Sequence, residues 1–258
     1  MRHLIFILLI SVSTSSYSQS IMMMNLGKSN HYFQSSKLIK ESTTVCTTYY
    51  PENMPKVKTI VHYNVHNKPT VELRYDEKDV LKQRVTITYD NSGTFDIGVK
   101  LENSDPEIGF YTVFSTNQYD SNGLVNKITE RDEKGRISRQ TDLVYNEKGN
   151  PTEIIVSIGD VMLSKQTAVY NYELNEATIK YFNRKGELYN TQKVPIDYSI
   201  AKPGEIVNEY GDIIKSATSE IEIAYDEFGN WTKKVYSMII DGKLTKSSEQ
   251  IRTLLYVN

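Results

Sequence analysis

The chain has 258 residues, with 30 Lys and Arg against 32 Asp and Glu for a formal net charge of −2, and a single cysteine. So even a balance gives no electrostatic case for a nucleic-acid or anionic-membrane partner, and one cysteine excludes an internal disulfide. The 19 tyrosines, with abundant Thr, Val and Ile, bias the chain toward strands.

Residues 1–18 read as a secretory signal. A basic start at Arg2 is followed by an apolar run from Leu4 to Val12 and a small-residue site at Ser16-Tyr17-Ser18, which predicts cleavage after Ser18 and a mature chain beginning at Gln19. The apolar run is too short to span a bilayer, no later stretch is apolar enough to serve, and no cysteine follows it to take a lipid. The expected address is secreted or periplasmic, with no transmembrane segment after signal removal. Residues 19–56 form a non-repeat segment holding Met22-Met23-Met24 and the turn-rich Tyr50-Pro51 to Met54-Pro55. A short helix over Ser35–Glu41 has no clear periodicity behind it, and the segment reads as a cap, a linker or a partly disordered stretch.

From residue 57 to 258 one phrase organises the sequence: an aromatic or bulky residue, Asp or Asn, two polar residues, then Gly. It stands at Tyr89-Asp90 to Gly93, Tyr119-Asp120 to Gly123, Arg131-Asp132 to Gly135, Tyr145-Asn146 to Gly149, Phe182-Asn183 to Gly186, Val207-Asn208 to Gly211 and Tyr225-Asp226 to Gly229. An eighth copy, Tyr75-Asp76 to Asp79, has Asp79 in place of the glycine. The Asp or Asn side chain can bond backbone N–H groups ahead of it, and Gly three residues later accepts positive φ, so each phrase predicts a bulged hairpin turn. Between phrases the residues alternate at period two. Val71-Leu73-Tyr75, Val85-Ile87-Tyr89, Thr141-Leu143-Tyr145 and Ile221-Ile223-Tyr225 are each expected to line a buried face. Further turns fit at His66-Asn67-Lys68-Pro69, Ile158-Gly159-Asp160 and Asp241-Gly242-Lys243.

The reading is therefore an all-β antiparallel hairpin array of about 14 to 16 strands, forming a large twisted, curved sheet because a flat one of that width would be exceptional. A second arrangement divides it into two sheets near Lys193 to Glu205, where Pro195, Pro203 and Gly204 cluster.

The phrases at Tyr119, Arg131, Tyr145 and Tyr225, the last continuing as Gly229-Asn230-Trp231, resemble the YD repeats of rearrangement-hotspot (Rhs) and teneurin-type proteins over roughly residues 70 to 256. In that family such repeats build hairpin sheets that spiral into shells around a toxin, or form extracellular surfaces that bind partners or carbohydrate. This chain is several times too short for a closed shell and shows no toxin-type domain after Tyr256, so the resemblance implies the hairpin architecture rather than the shell. Tyr181-Phe182 to Leu188 bears a weaker resemblance to MORN-like repeats.

Chemistry is sparse. His31, His62 and His66 supply no metal-ligand spacing in strands, and Cys46 has no partner motif and reads as a small buried residue in a Thr-rich strand. No nucleophile elbow, phosphate loop or dinucleotide fingerprint is present, and most acids lie in turn phrases or on the wet face. The expectation is no catalytic, metal or cofactor site. Tyrosines and Trp231 offer apolar surface for a sugar ring or partner chain; Trp231, just after a turn, is the residue expected to be exposed and to bind ligand. The functional expectation is an exported, non-enzymatic binding or scaffold module at the bacterial envelope, recognising a glycan or protein through a sheet surface. The alternatives are an immunity partner of a polymorphic toxin and a carbohydrate-active hydrolase.

Overall fold

The computed structural model describes residues 20–22, 24, 37–51, 54–106, 108–198, 200–201 and 203–257; the signal-like residues 1–18 lie outside them. Seventeen strands follow in chain order. They are β1 (Ile39–Thr48), β2 (Val57–Tyr63), β3 (Pro69–Tyr75), β4 (Leu81–Tyr89), β5 (Asp96–Asn103), β6 (Tyr111–Tyr119), β7 (Val125–Arg131), β8 (Ile137–Tyr145) and β9 (Pro151–Ile158), then β10 (Val161–Asn171), β11 (Glu176–Phe182), β12 (Leu188–Pro195), β13 (Ile206–Val207), β14 (Ile213–Lys215), β15 (Ser219–Tyr225), β16 (Trp231–Ile240) and β17 (Lys243–Tyr256).

The turn phrases fold as their chemistry dictates. In seven of the eight the Asp or Asn Oδ1 accepts the backbone N–H groups two and four residues on, as Asp226 does from Phe228 (3.0 Å) and Asn230 (2.9 Å). The Asp90 turn is one residue longer, and its Oδ1 accepts from Thr94 and Phe95. The ladder register shifts at the first residue of the phrases, as between Thr88 and Tyr89 or Ala224 and Tyr225, the mark of a bulge. A ninth copy opens at Tyr63-Asn64: Asn64 Oδ1 accepts from His66 and Lys68, and Asn67, at φ 54°, takes the glycine position. Asp79 sits at φ 59° where seven of the copies carry glycine, for example Gly229 at 79°. Asp79→Gly is expected to stabilise the fold by about 0.5 kcal/mol, relief of the left-handed strain exceeding the added chain entropy; a urea midpoint measurement checks it.

Every pairing is antiparallel. β1 through β12 pair in sequence, as do β13 through β17, and β17 pairs with β1 along Ile39–Thr48. The result is one sheet of seventeen strands in which β12 and β13 stand next to each other. Seventeen strands at ~4.8 Å spacing would make a flat sheet ~77 Å wide, whereas the eleven chain steps from Pro195 to Ile206 reach at most ~38 Å. The sheet must therefore curl until its edges approach. The second arrangement, two sheets dividing near Lys193–Glu205, is not adopted: the β1–β17 pairing joins both halves into one sheet. Strand β1 comes from the non-repeat segment, and residues 39–41 are strand rather than helix.

A curl of this many strands is too wide for its own side chains to fill. Against β7–β12 the space is filled by the chain's beginning: Ile21, Met22 and Met24 form a helical turn closed by Met24 N–H to Ser20 C=O. Fully buried Ile21 packs there with Ile128, Leu143, Ile154, Val156, Ile179 and Val194, and its N–H donates to Gln166 Oε1. A smaller cluster holds Val85, Ile87 and Val99.

The alternation reading holds for β4 and β8 and inverts in β3. There Glu72 is buried, at 1% exposure, beside Val61 and Val85, while Val71 and Leu73 lie on the other face with Ile60 as the cross-strand partner of Leu73. Two apolar residues of β3 thus face outward so that Glu72 and Arg74 face inward.

A polar inner wall as the candidate functional site

The inverted strand belongs to a row of polar side chains on the inner face. Cross-strand register places Arg252 beside Thr44, Thr44 beside Thr59, Thr59 beside Arg74, Arg74 beside Gln83 and Gln83 beside Asn103. Six strands, from β17 through β1 to β5, each contribute one hydrogen-bonding group, spanning five spacings or about 24 Å. Thr44, Thr59 and Gln83 are half-buried, and Arg74 keeps 21% exposure while its Nε donates to Glu72 Oε1 at 2.6 Å. Beyond Asn103, Glu130 accepts two bonds from Arg139.

Trp231 stands at the β16 end of this row. It is half-buried rather than exposed: the Arg252 guanidinium lies 3.9 Å from its ring centroid and the Lys234 ammonium 5.1 Å, and Arg252 Nε donates to the Trp231 carbonyl. Burial pushes Lys234 below the ordinary lysine range, partly offset by Asp212 at 3.6 Å. Tyr225 donates to Asp212 and stacks on Tyr210 at 3.9 Å. Trp231 therefore sits in a cation-rich corner facing the interior. The signal that could have located it is the charge at alternate inward positions, Lys234 and Arg252, in strands otherwise read for apolar residues.

The phrase tyrosines are structural fasteners. Tyr89, Tyr119 and Tyr145, each ending one strand, donate to the carbonyl that opens the preceding strand, at Pro69, Asp96 and Val125; Tyr170 does the same to Pro151. Tyr256 binds the Asp226 carboxylate of the last turn phrase. Burial, first among the causes, lifts the phenols of Tyr145, Tyr236 and Tyr256 to about 12. With an unfolded value near 10, the native state holds these protons more tightly. Their contribution is complete below pH 10 and is lost as pH rises toward 12. The urea midpoint is expected to fall steadily over pH 10–12, in step with tyrosinate absorbance at 295 nm.

The remaining sequence candidates are dispersed. His62 Nδ1 lies 3.4 Å from Glu41 Oε2 on the outer face, His66 packs over Gly93 in a neighbouring turn, and His31 is outside the described residues. Cys46 is half-buried on the inner face, its thiol raised by burial. Among the described residues no group of three His, Cys, Asp or Glu is arranged to hold a metal, and no helix is long and apolar enough to cross a membrane. The outer face carries cross-strand ion pairs, Lys127 with Asp142, Lys165 with Glu153, Lys193 with Glu176 and Lys233 with Glu249. A midplane Lys on a lipid-facing wall costs about 2–4 kcal/mol; between these pairs the same face exposes Val144, Val169, Ile251 and Leu255.

No protein-family model matches the chain, and no curated protein matches it in sequence. Among solved structures it is similar to a porin-like protein from Bacteroides uniformis ATCC 8492, at 15% identity and TM-score 0.47, covering 87% of this chain and 99% of that one. It is also similar to part of the Tc holotoxin pore of Photorhabdus luminescens, at 9% identity and TM-score 0.27, covering 82% of this chain and 16% of that one. Both scores fall below 0.5, and the functional reading rests on the chain's own geometry. That geometry defines an all-β protein made of one curled antiparallel sheet with ion pairs and apolar side chains mixed on its exterior and a partly polar interior.

Proposed function

We propose that this is an exported, non-enzymatic binding module of the bacterial envelope, built of YD-like hairpin repeats, that takes a glycan along its inner wall. The observation that carries the reading is the row Arg252, Thr44, Thr59, Arg74, Gln83 and Asn103. A core strand ordinarily buries apolar groups; here Arg252 and Asn103 are buried at the two ends of the row, bonded to the Trp231 and Gly109 carbonyls, and Thr44, Thr59 and Gln83 stand half-buried between them. Sugars offer hydroxyls that both donate and accept, which Thr, Gln, Asn and Arg side chains match in kind, and Trp231 at the end of the row supplies a ring face.

A screen of soluble neutral oligosaccharides by calorimetry tests it. Binding is expected, and Thr59→Val and Gln83→Ala are each expected to weaken it about 3–10-fold, one hydrogen bond being worth about 1 kcal/mol, with the unfolding midpoint retained. Absence of binding across the screen, or binding indifferent to both substitutions, would refute the reading. Trp231→Phe should lower affinity less than Trp231→Ala, since the ring face survives the first change.

A further inference from the structure

Asn122-Gly123 is the only Asn-Gly pair in the chain, and the fold sets it at the tip of the hairpin between β6 and β7. The two residues close the turn phrase that opens at Tyr119-Asp120. In the other copies of the phrase the position of Asn122 holds Lys, Ser, His, Tyr or Phe, none of which carries a side-chain amide. Asn122 is exposed, and Gly123 stands at φ 75°.

An asparagine carries an electrophilic carbon, Cγ, within reach of the backbone nitrogen that follows it. Attack of Gly123 N on Asn122 Cγ closes a cyclic imide. The N–Cγ bond forms, the Cγ–Nδ2 bond breaks, and the side-chain nitrogen leaves as ammonia with the proton that Gly123 N gives up. Water then opens the imide at either carbonyl, which yields aspartate by one route and isoaspartate by the other. A side chain on the second residue crowds this attack; glycine has none, and its backbone turns freely.

The native turn holds the reaction back without preventing it. Gly123 N–H donates to the Asp120 carbonyl (3.1 Å), which engages the nitrogen that must attack. Asp120 Oδ1 accepts from the Asn122 and Leu124 N–H groups, both at 2.9 Å. These bonds lie at a hairpin tip, where local opening costs far less than global unfolding. Asp120 is therefore a brake on chemistry two residues away. The tip is also a seat for its neighbours, because alternate hairpins share a rim. Phe95, from the turn between β4 and β5, lies 3.3 Å from where a Gly123 side chain would begin, and its ring meets Tyr119 edge-on at 5.0 Å. Leu124 reaches the corresponding spot over Gly149, in the turn between β8 and β9, at 3.7 Å. An isoaspartate routes the backbone through the side-chain carbon and lengthens the link between positions 122 and 123, so Gly123 and Leu124 cannot both keep their places.

We propose that Asn122 is a site of spontaneous covalent modification, converting to aspartate and isoaspartate through Gly123 at a rate set by opening of the Asp120 turn, and that the conversion loosens the three turns joined through it. The inference does not rest on the glycan reading, and each can fail without the other.

The experiment ages the full mature chain in mildly alkaline buffer at body temperature and follows it by peptide mass spectrometry, with fragmentation that separates aspartate from isoaspartate. Loss of the amide is expected at Asn122 within days. Asn91, exposed but followed by Ser92, and Asn230, buried and followed by Trp231, should keep theirs over the same period. In the aged chain amide exchange around Phe95, Leu124 and Gly149 should rise. In Asn122→Lys, which sets at the tip the residue that four other copies carry there, it should not. Asp120→Ala is expected to speed the conversion at least about fivefold, since it removes two hydrogen bonds from the closed turn. Asp120→Asn, which keeps the Oδ1 acceptor, should stay near the native rate. A peptide with the sequence of residues 117–127, which has no packed turn to open, should also convert at least about fivefold faster than the folded chain. No conversion at Asn122, earlier conversion at Asn91, a peptide no faster than the folded chain, or unchanged exchange in the aged rim would each overturn the proposal.

Discussion

Thr43→Pro is expected to lower the unfolding free energy by about 3–5 kcal/mol. Thr43 lies at the centre of β1, opposite Ile60 of β2 on one side and Thr253 of β17 on the other. A proline in a strand paired on both sides removes a ladder donor whichever way that N–H points, and its ring obstructs the neighbouring residue. The site gives the change its leverage. Among the described residues, β1 is the strand whose ladders join the run β2–β12 to the run β13–β17. Weakening β1 should therefore split one cooperative transition into two. Circular dichroism and Trp231 fluorescence, coincident for the native sequence, should diverge, because Trp231 reports only on the β13–β17 half. Thr43→Val, which keeps the donor and favours the strand, should leave both probes coincident; a single coincident transition in the proline variant would show that the halves are held together by something other than β1.

The hairpin array was legible because its signal is local. Asp226, Asn146 and their counterparts fix the turn by bonds to backbone two and four residues away, and no distant residue needs to be known. Tyr63-Asn64 escaped only because Asn67 takes the glycine position. The closing of the sheet was not legible, because β1–β17 pairing joins residues some 200 positions apart and strands of Thr, Val and Ile alternation have no unique partner. The inner wall was hidden for a different reason. Period-two reasoning assigns apolar residues to the inside, and in β3 it put Val71 and Leu73 there in place of Glu72 and Arg74. That rule presumes a dry interior, and a curl too wide to fill has a partly wet one. Trp231 was picked out by residue type, while its surroundings, Lys234 and Arg252, come from register that no local pattern supplies.

Ile21→Ala is expected to cost about 2–4 kcal/mol, and Ile21→Asp more, since it sets a carboxylate among apolar side chains. Ile21 is fully buried and touches a cluster drawn from six strands, with Ile128 of β7, Leu143 of β8, Ile154 and Val156 of β9, Ala168 of β10, Ala177 and Ile179 of β11 and Val194 of β12. Those residues line one side of the sheet, and among the described residues the turn at 20–22 and Ile196 and Tyr198 lie against them. The helical turn at residues 20–24 is what covers them, so removing its largest buried side chain opens a cavity that the curved wall cannot collapse to fill. The loss should be felt locally: exchange protection should fall in β9–β11 while β2–β4, whose buried side chains Val85 and Ile87 cluster with Val99 instead, should keep theirs. Binding of an apolar dye such as anilinonaphthalene sulfonate should rise in both variants at temperatures where β2–β4 remain protected. Gln166→Ala, which removes the acceptor for the Ile21 N–H at 3.1 Å, should reproduce the dye binding at a smaller cost of about 1 kcal/mol. Uniform loss of protection across all strands would mean that the turn is part of one indivisible core rather than a plug seated in a sheet that stands without it.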